Sequence, residues 1–227
     1  MKTRKILSVL AIFTFAVFMG CDEDGNPVVP NPLKSNVMVV HASPDAPGVD
    51  LLVDDAMAGT NLTFPNNTGY LKVEAGTHNV KVNVTGTDQT VIEADLELTR
   101  RNYYSVFATD VVADLTPLVL EDNLSAPAEG KAHVRFIHLS PNAPAVDITL
   151  TDGTIVFGDV EFQEVIDFTP LDAATYDLQV RVQGTDTVVL ELPGIELMNG
   201  SIYTVFAKGL VGETGDKALG AEIIVNN

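Results

Sequence analysis

His41, Ser43 and Asp50 place the three side-chain types of a hydrolase triad within ten residues. In such a triad a serine hydroxyl attacks a carbonyl, an imidazole takes its proton and a carboxylate orients the imidazole. The same types recur as His138, Ser140 and Asp147. Neither set comes with a G-x-S-x-G nucleophile elbow. Ser43 and Ser140 each precede a proline, a setting that suits a turn cap better than a nucleophile. A structural motif kept twice accounts for the repetition, so no catalytic residue and no enzymatic activity is expected. Calcium is the second candidate chemistry. Asp45, Asp50, Asp54 and Asp55 are expected around one sheet end, and Ca²⁺ takes oxygen ligands. The second occurrence keeps Asp147 and Asp152 but has Asn142 for Asp45, and no EF-hand spacing appears. Asp45, Asp50 and Asp54 therefore remain weak metal candidates that read first as solvated turn carboxylates. No cofactor is expected.

The segments that position these residues are near copies. His41-Ala42-Ser43-Pro44-Asp45-Ala46-Pro47-Gly48-Val49-Asp50 returns as His138-Leu139-Ser140-Pro141-Asn142-Ala143-Pro144-Ala145-Val146-Asp147, with seven of the ten positions identical. Pro44 and Pro141 set φ for the second position of a type I turn. Pro47 and Pro144 force an extended residue before them. The result is a stiff non-helical corner between two strands. Val134, Phe136 and His138 share a parity, with Arg135 on the opposite face. Each histidine should thus turn inward at the sheet edge, toward the corner's own carbonyls or the carboxylate of Asp50 or Asp147.

The repeat extends past the corner. Val80 to Asp88 matches Leu178 to Asp186, and Tyr104 to Ala108 matches Tyr203 to Ala207. A unit of about 97 residues is too long for a solenoid repeat and the right size for a domain. Within it the apolar period is two: Val49, Leu51 and Val53 alternate, as do Val80, Val82 and Val84 and their counterparts Leu178, Val180 and Val182. Such alternation means half-buried strands with one wet face, and Leu52 replaced by Thr149 marks that face as solvent. Gly86-Thr87-Asp88, Gly184-Thr185-Asp186 and Asp152-Gly153 supply hairpin turns. No helical period is sustained. The fold expected is all-β: two tandem immunoglobulin-like antiparallel β-sandwich domains, 36–122 and 131–227, joined by a linker, 123–130. Tyr104 and Tyr203 fit either a tyrosine corner or ordinary sheet packing. Tyr70, Phe64 and Phe157 suit core or edge packing better than a ligand groove. Asn61-Leu62-Thr63 and Asn66-Asn67-Thr68 are formal glycosylation triplets, a poor reading for a bacterial address, and Arg100-Arg101 reads as a solvated loop.

The N-terminus is a targeting segment. Lys2, Arg4 and Lys5 precede the apolar run Ile6 to Phe18, which has signal-peptide length. Residues 1–20 read as a lipoprotein signal peptide. Phe18-Met19-Gly20-Cys21 resembles the lipobox of bacterial lipoproteins, with Cys21 the only cysteine. Lipidation there would hold the chain to a membrane, each buried methylene adding about 0.8 kcal/mol. The segment 21–35 reads as an acidic, Pro-rich tether. Its Asp22-Glu23-Asp24 resembles the tract that sends some Gram-negative lipoproteins to the outer face of the outer membrane. Without the signal the chain holds 10 basic and 31 acidic residues, a net charge of −21. That surface repels nucleic acid and anionic headgroups.

Val40 to Pro47 with Val49-Asp50, and Tyr104 to Ala108 as a late strand, resemble the signature of a bacterial extracellular family, domain-of-unknown-function family 4397. The resemblance implies a secreted or surface β-sandwich, often in tandem and often lipid-anchored, and brings no catalytic assignment. The expectation is a surface-exposed outer-membrane lipoprotein acting as a binding, adhesion or spacer module, with a glycan or protein as ligand and no nucleic acid. The alternative is a carbohydrate- or calcium-binding accessory module of an uptake system. The structural motif residues are His41, Ser43, Pro44, Pro47, Asp50, His138, Ser140, Pro141, Pro144 and Asp147.

Overall fold

The structure, a computed structural model, describes residues 34–227. The signal segment 1–20, the lipidation site Cys21 and the tether up to residue 33 lie outside the described residues. The first copy contains β1 (Lys34–His41), β2 (Val49–Val53), β3 (Ala56–Leu62), β4 (Leu71–Glu74), β5 (Gly76–Val84), β6 (Thr90–Leu98), β7 (Tyr103–Thr109) and β8 (Thr116–Asp122). The second repeats them as β9 (Lys131–His138), β10 (Val146–Leu150), β11 (Ile155–Val160), β12 (Val165–Asp172), β13 (Thr175–Val182), β14 (Val188–Glu196), β15 (Ile202–Lys208) and β16 (Gly220–Val225). Each copy is a sandwich of two four-stranded sheets. Their orders are β4-β1-β7-β8 and β3-β2-β5-β6, then β12-β9-β15-β16 and β11-β10-β13-β14. The all-β expectation holds.

Pairing is antiparallel except where β1 meets β7 and β9 meets β15, which run parallel. Parallel neighbours cannot be joined by a hairpin. Here the chain builds five other strands before it returns. The alternating valines behave as their spacing dictates. Val37, Val39, Val49, Leu51, Val80 and Val82 fill the inner core of the first sandwich, and Val134, Phe136, Val146, Ile148 and Val180 that of the second.

A third core lies between the sandwiches, on faces expected to be wet. Met38, Val40 and Phe107 from one copy cluster with Ile137, Leu139 and Phe206 from the other. Phe107 and Phe206 meet edge to face, 5.9 Å between centroids, the arrangement the ring quadrupoles favour. Residues 33–227 accordingly form one compact unit. The face of β9 opposite Phe136 is therefore buried too, and Arg135 is only 1% exposed.

Arg135 Nη1 donates to Asp122 Oδ1 at 2.6 Å. Asp122 Oδ2 accepts from Tyr70 and from Ser105, each at 2.6 Å. Arg135 also donates to Thr204 Oγ1, which itself donates to Asn226 Oδ1, and Asn226 Nδ2 reaches Tyr70 Oη at 3.0 Å. The guanidinium carbon stands 4.6 Å from the Phe168 ring centroid. By strand register Met38 corresponds to Arg135, Ser105 to Thr204, Tyr70 to Phe168 and Asp122 to Asn226. The same four positions of each copy thus meet at the junction.

One further surface expectation fails. The Leu52/Thr149 face of β2 and β10 was expected in solvent, yet Thr149 is 2% exposed and its hydroxyl has no hydrogen-bond partner. Its neighbours across the sheet are Gln179 and Ile155, larger side chains that flank it on both sides. A short side chain between longer ones is covered even on an outward face.

Candidate functional site

The repeated corner is held by its own side chains. His41 Nε2 lies 2.9 Å from the Pro47 carbonyl and His138 Nε2 lies 3.0 Å from that of Pro144. A carbonyl only accepts, so both rings carry their proton on Nε2. In the second copy Nδ1 accepts from the Ser140 amide; in the first it is buried without a partner. Burial pushes both imidazoles below the ordinary histidine range, against the opposing pull of the proline carbonyls. The carbonyl alternative for these histidines is therefore the one realised.

Asp50 and Asp147 do other work. Asp50 accepts from the amides of Asn61 at 2.8 Å and Gly86 at 3.1 Å, and from the Thr85 hydroxyl. The Asn61 and Gly86 amides hold its carboxyl below the usual range. Asp147 binds the amides of Asp159 and Gly184 in the same way. Each carboxylate ties β2 or β10 to the end of the next strand and to the following hairpin turn. Asn61, Asp159, Gly86 and Gly184 all have positive φ, which aims their amides at the carboxylate. The sequence reading missed these partners, although they recur at spacings that differ by one residue, 11 and 36 after Asp50 and 12 and 37 after Asp147.

The serines face elsewhere. Ser140 Oγ donates to the Gly209 carbonyl at 2.7 Å, and Ser43 Oγ reaches Asp45 at 3.5 Å. Each triad-like set is thus split between separate structural bonds. The four aspartates are not one cluster either. Asp45 accepts from the Val112 amide, Asp50 sits near the start of β2, and Asp54 lies past its far end, bonded to His78 Nδ1 at 2.6 Å. The expected single sheet end is corrected: an extended strand separates Asp50 from Asp54 and Asp55. Among the described residues no three His, Cys, Asp or Glu side chains stand close enough to hold a metal ion. Tyr104 and Tyr203 accept from the amides of Thr99 and Met198, five residues upstream. These bonds make tyrosine corners.

Concavities open on the surface of the described residues. A cleft of about 350 Å³ lies along β3 and the loop leading to β4. Leu51, Leu62 and Leu71 form its floor, and Thr60, Asn61 and Asn67 stand on its rim. A shallower basin of about 680 Å³ lies beside Asp110, Asp114, Thr116 and Gln163. Gln163 there is bonded to Thr109 and Thr116. The repeated corner lines neither. Of the three aromatic groove candidates, Phe157 is buried on Phe136, Tyr70 belongs to the junction, and Phe64 packs against His41 with Lys208 over its ring.

No curated protein matches the sequence. Among solved structures, one of a family 26 carbohydrate-binding module of Eubacterium rectale Amy13K, in complex with maltoheptaose, is 8% identical. It covers 83% of this chain and 96% of its own, with a TM-score of 0.30. A streptococcal virulence factor, described for alpha-glucan binding, is 14% identical over 78% of this chain and 92% of its own, with a TM-score of 0.23. The proline corner, the strand that enters it and the strands that follow fall within residues 35–149, which match the model of the domain of unknown function DUF4397 over more than half of the chain, and the protein belongs to that family.

Proposed function

We propose that this protein is a lipid-anchored component of the cell envelope that works by binding rather than catalysis. Cys21 carries it on the outer membrane, the tether spaces it, and the fused sandwiches present one stiff surface outside the cell. The observation that carries the non-enzymatic reading is the fate of the triad-like residues. In both copies the histidine bonds a carbonyl of its own corner and the aspartate bonds backbone amides of a neighbouring strand and hairpin turn, while Ser140 bonds the Gly209 carbonyl beyond β15. A nucleophile and base must instead share a hydrogen bond with each other. The anchoring half rests on the lipobox-like run before Cys21 and the acidic residues after it.

Fractionation of cells expressing the full chain tests the anchor. The parent should sediment with membranes, take up labelled palmitate and be cut by protease added to whole cells. Cys21→Ser should lose the label and the sedimentation. A Cys21→Ser chain that still sediments with lipid-labelled protein would overturn the anchor. A fluorophosphonate probe tests the second half. Labelling that disappears in Ser43→Ala or Ser140→Ala would establish a reactive serine and refute the binding reading.

A further inference from the structure

The two copies differ in side-chain volume at the cleft. Register and the shared Asp–amide bonds equate Asn61 with Asp159. Across this segment Gly59 then stands where the second copy has Phe157, Ala58 where it has Val156, and Thr68 where it has Ile166. On the facing strand Val39 replaces Phe136. Phe157 is 7% exposed and stacks on Phe136, 6.2 Å between centroids with planes 15° apart. The second copy fills its edge with two stacked rings. The first copy has neither ring and keeps the open cleft. Leu71, which stands where the second copy has the smaller Thr169, goes the other way but forms floor and does not close the opening.

Missing rings alone would leave a greasy slot. The rim is polar and carries no formal charge, in a chain whose mature net charge is −21. The Thr60 hydroxyl, the Asn61 side-chain carboxamide and the Asn67 Nδ2 group make no hydrogen bond among the described residues, whereas the Asn61 backbone N–H is taken by Asp50. Asn67 Oδ1 and Thr68 Oγ1 are used by Gly69 and Val39. A ligand seated here therefore covers three neutral polar groups: the Thr60 hydroxyl and the Asn61 carboxamide, which both donate and accept, and the Asn67 Nδ2 group, which donates. A bare aromatic ring would strip them of water and return nothing, at a cost for each. A charged ligand finds no countercharge on the rim. A ring-sized neutral body edged with hydroxyls satisfies both surfaces: its apolar face lies on Leu51, Leu62 and Leu71, and its hydroxyls meet the amides and threonine.

We propose that the cleft of the first sandwich is a binding site for one neutral sugar ring, at the place that Phe157 occupies in the second. This deepens the binding reading above and rests on it. The plug is available by substitution. A Cβ on Gly59 meets its nearest neighbours at 3.7 and 3.8 Å, ordinary contact, and Gly59 needs no positive φ. Gly59→Phe should therefore fold and close the site.

The test is titration of the full-length lipoprotein in detergent with neutral hexoses and their short oligomers, read by calorimetry and ligand-observed NMR. The parent should bind at least one with a Kd on the order of 1 mM or tighter. Gly59→Phe should weaken that binding at least about tenfold with no loss of thermal stability, and Asn61→Asp should weaken it with the fold intact. Phe157→Gly in the second copy is the control and should leave it unchanged. Absence of binding to every neutral sugar, equal binding by Gly59→Phe, or preference for phenol over the sugars would overturn the proposal. A protein that is lipid-anchored, unlabelled by fluorophosphonate and blind to sugars sinks this inference alone.

Discussion

Neutralising Asp122 tests whether the junction makes the two sandwiches one body. Asp122→Asn keeps the shape and installs the residue that the second copy has at the equivalent place, Asn226. In the parent, one carboxylate oxygen takes the Arg135 guanidinium and the other takes two hydroxyls. Both ionic side chains are essentially sealed from water, at 0% and 1% exposure. After the substitution the guanidinium keeps neutral oxygens and the Phe168 ring around it but no countercharge. Removing one partner of a sealed pair costs about 3–5 kcal/mol, because the other charge remains where water cannot reach it. For a chain of this size that is on the order of 10 °C in Tm. Arg135→Met, the residue of the first copy, strands the carboxylate and should cost a similar amount. The double variant Asp122→Asn/Arg135→Met buries no charge, so its loss should fall at least about 2 kcal/mol short of the two single losses combined. Urea unfolding followed by far-UV circular dichroism measures all four. Tyr70 gives a second readout: its phenol is raised above the ordinary range by burial and by the Asp122 charge, and the substitution should let it titrate earlier. A loss under about 0.5 kcal/mol for Asp122→Asn, the size of an ordinary surface change, would refute the lock. So would strict additivity in the double variant.

Two further outcomes follow from the corners. His41 and His138 are held below the ordinary histidine value of 6.5 by burial. Between their folded values and 6.5 the unfolded chain binds protons that the native rings refuse, so stability falls as pH drops below about 6.5, at up to about 1.4 kcal/mol per pH unit for each ring. Urea midpoints between pH 7.5 and 5 should show it, and His138→Gln should flatten about half the slope; a flat profile in the parent contradicts neutral burial. The carboxylates Asp50 and Asp152 are lowered instead, by backbone amides, so their contribution is present above 3.8 and is lost only at more acid pH. Tyr104→Phe and Tyr203→Phe should each cost about 1 kcal/mol in urea unfolding, the worth of the single bond to Thr99 or Met198. A neutral result at both would reduce the tyrosines to packing.

The inner cores were legible because a strand with one buried side must alternate, and Val80, Val82 and Val84 do. The third core was harder to see, although its mark stands in β1: Val37-Met38-Val39-Val40 is apolar without interruption. An unbroken run means that both sides are covered. The corresponding run in β9 is broken by Arg135, and a charge on an alternating strand reads as a wet position. Only its contact with Asp122, thirteen residues earlier and in the other copy, makes burial tolerable, and no local pattern announces such a partner. The corner shows the reverse. Its His, Ser and Asp attracted attention as chemistry, yet residues unremarkable by type explain them: the Pro47 carbonyl holds His41, and the amides of Asn61 and Gly86 hold Asp50. The cleft lay between these cases. Each of its residues is ordinary, and only placing Gly59 beside Phe157 reveals it. In a duplicated chain the positions where the copies agree report what both need in order to fold. The positions where they disagree in volume report where one copy was released from that need, and there a site has room to exist.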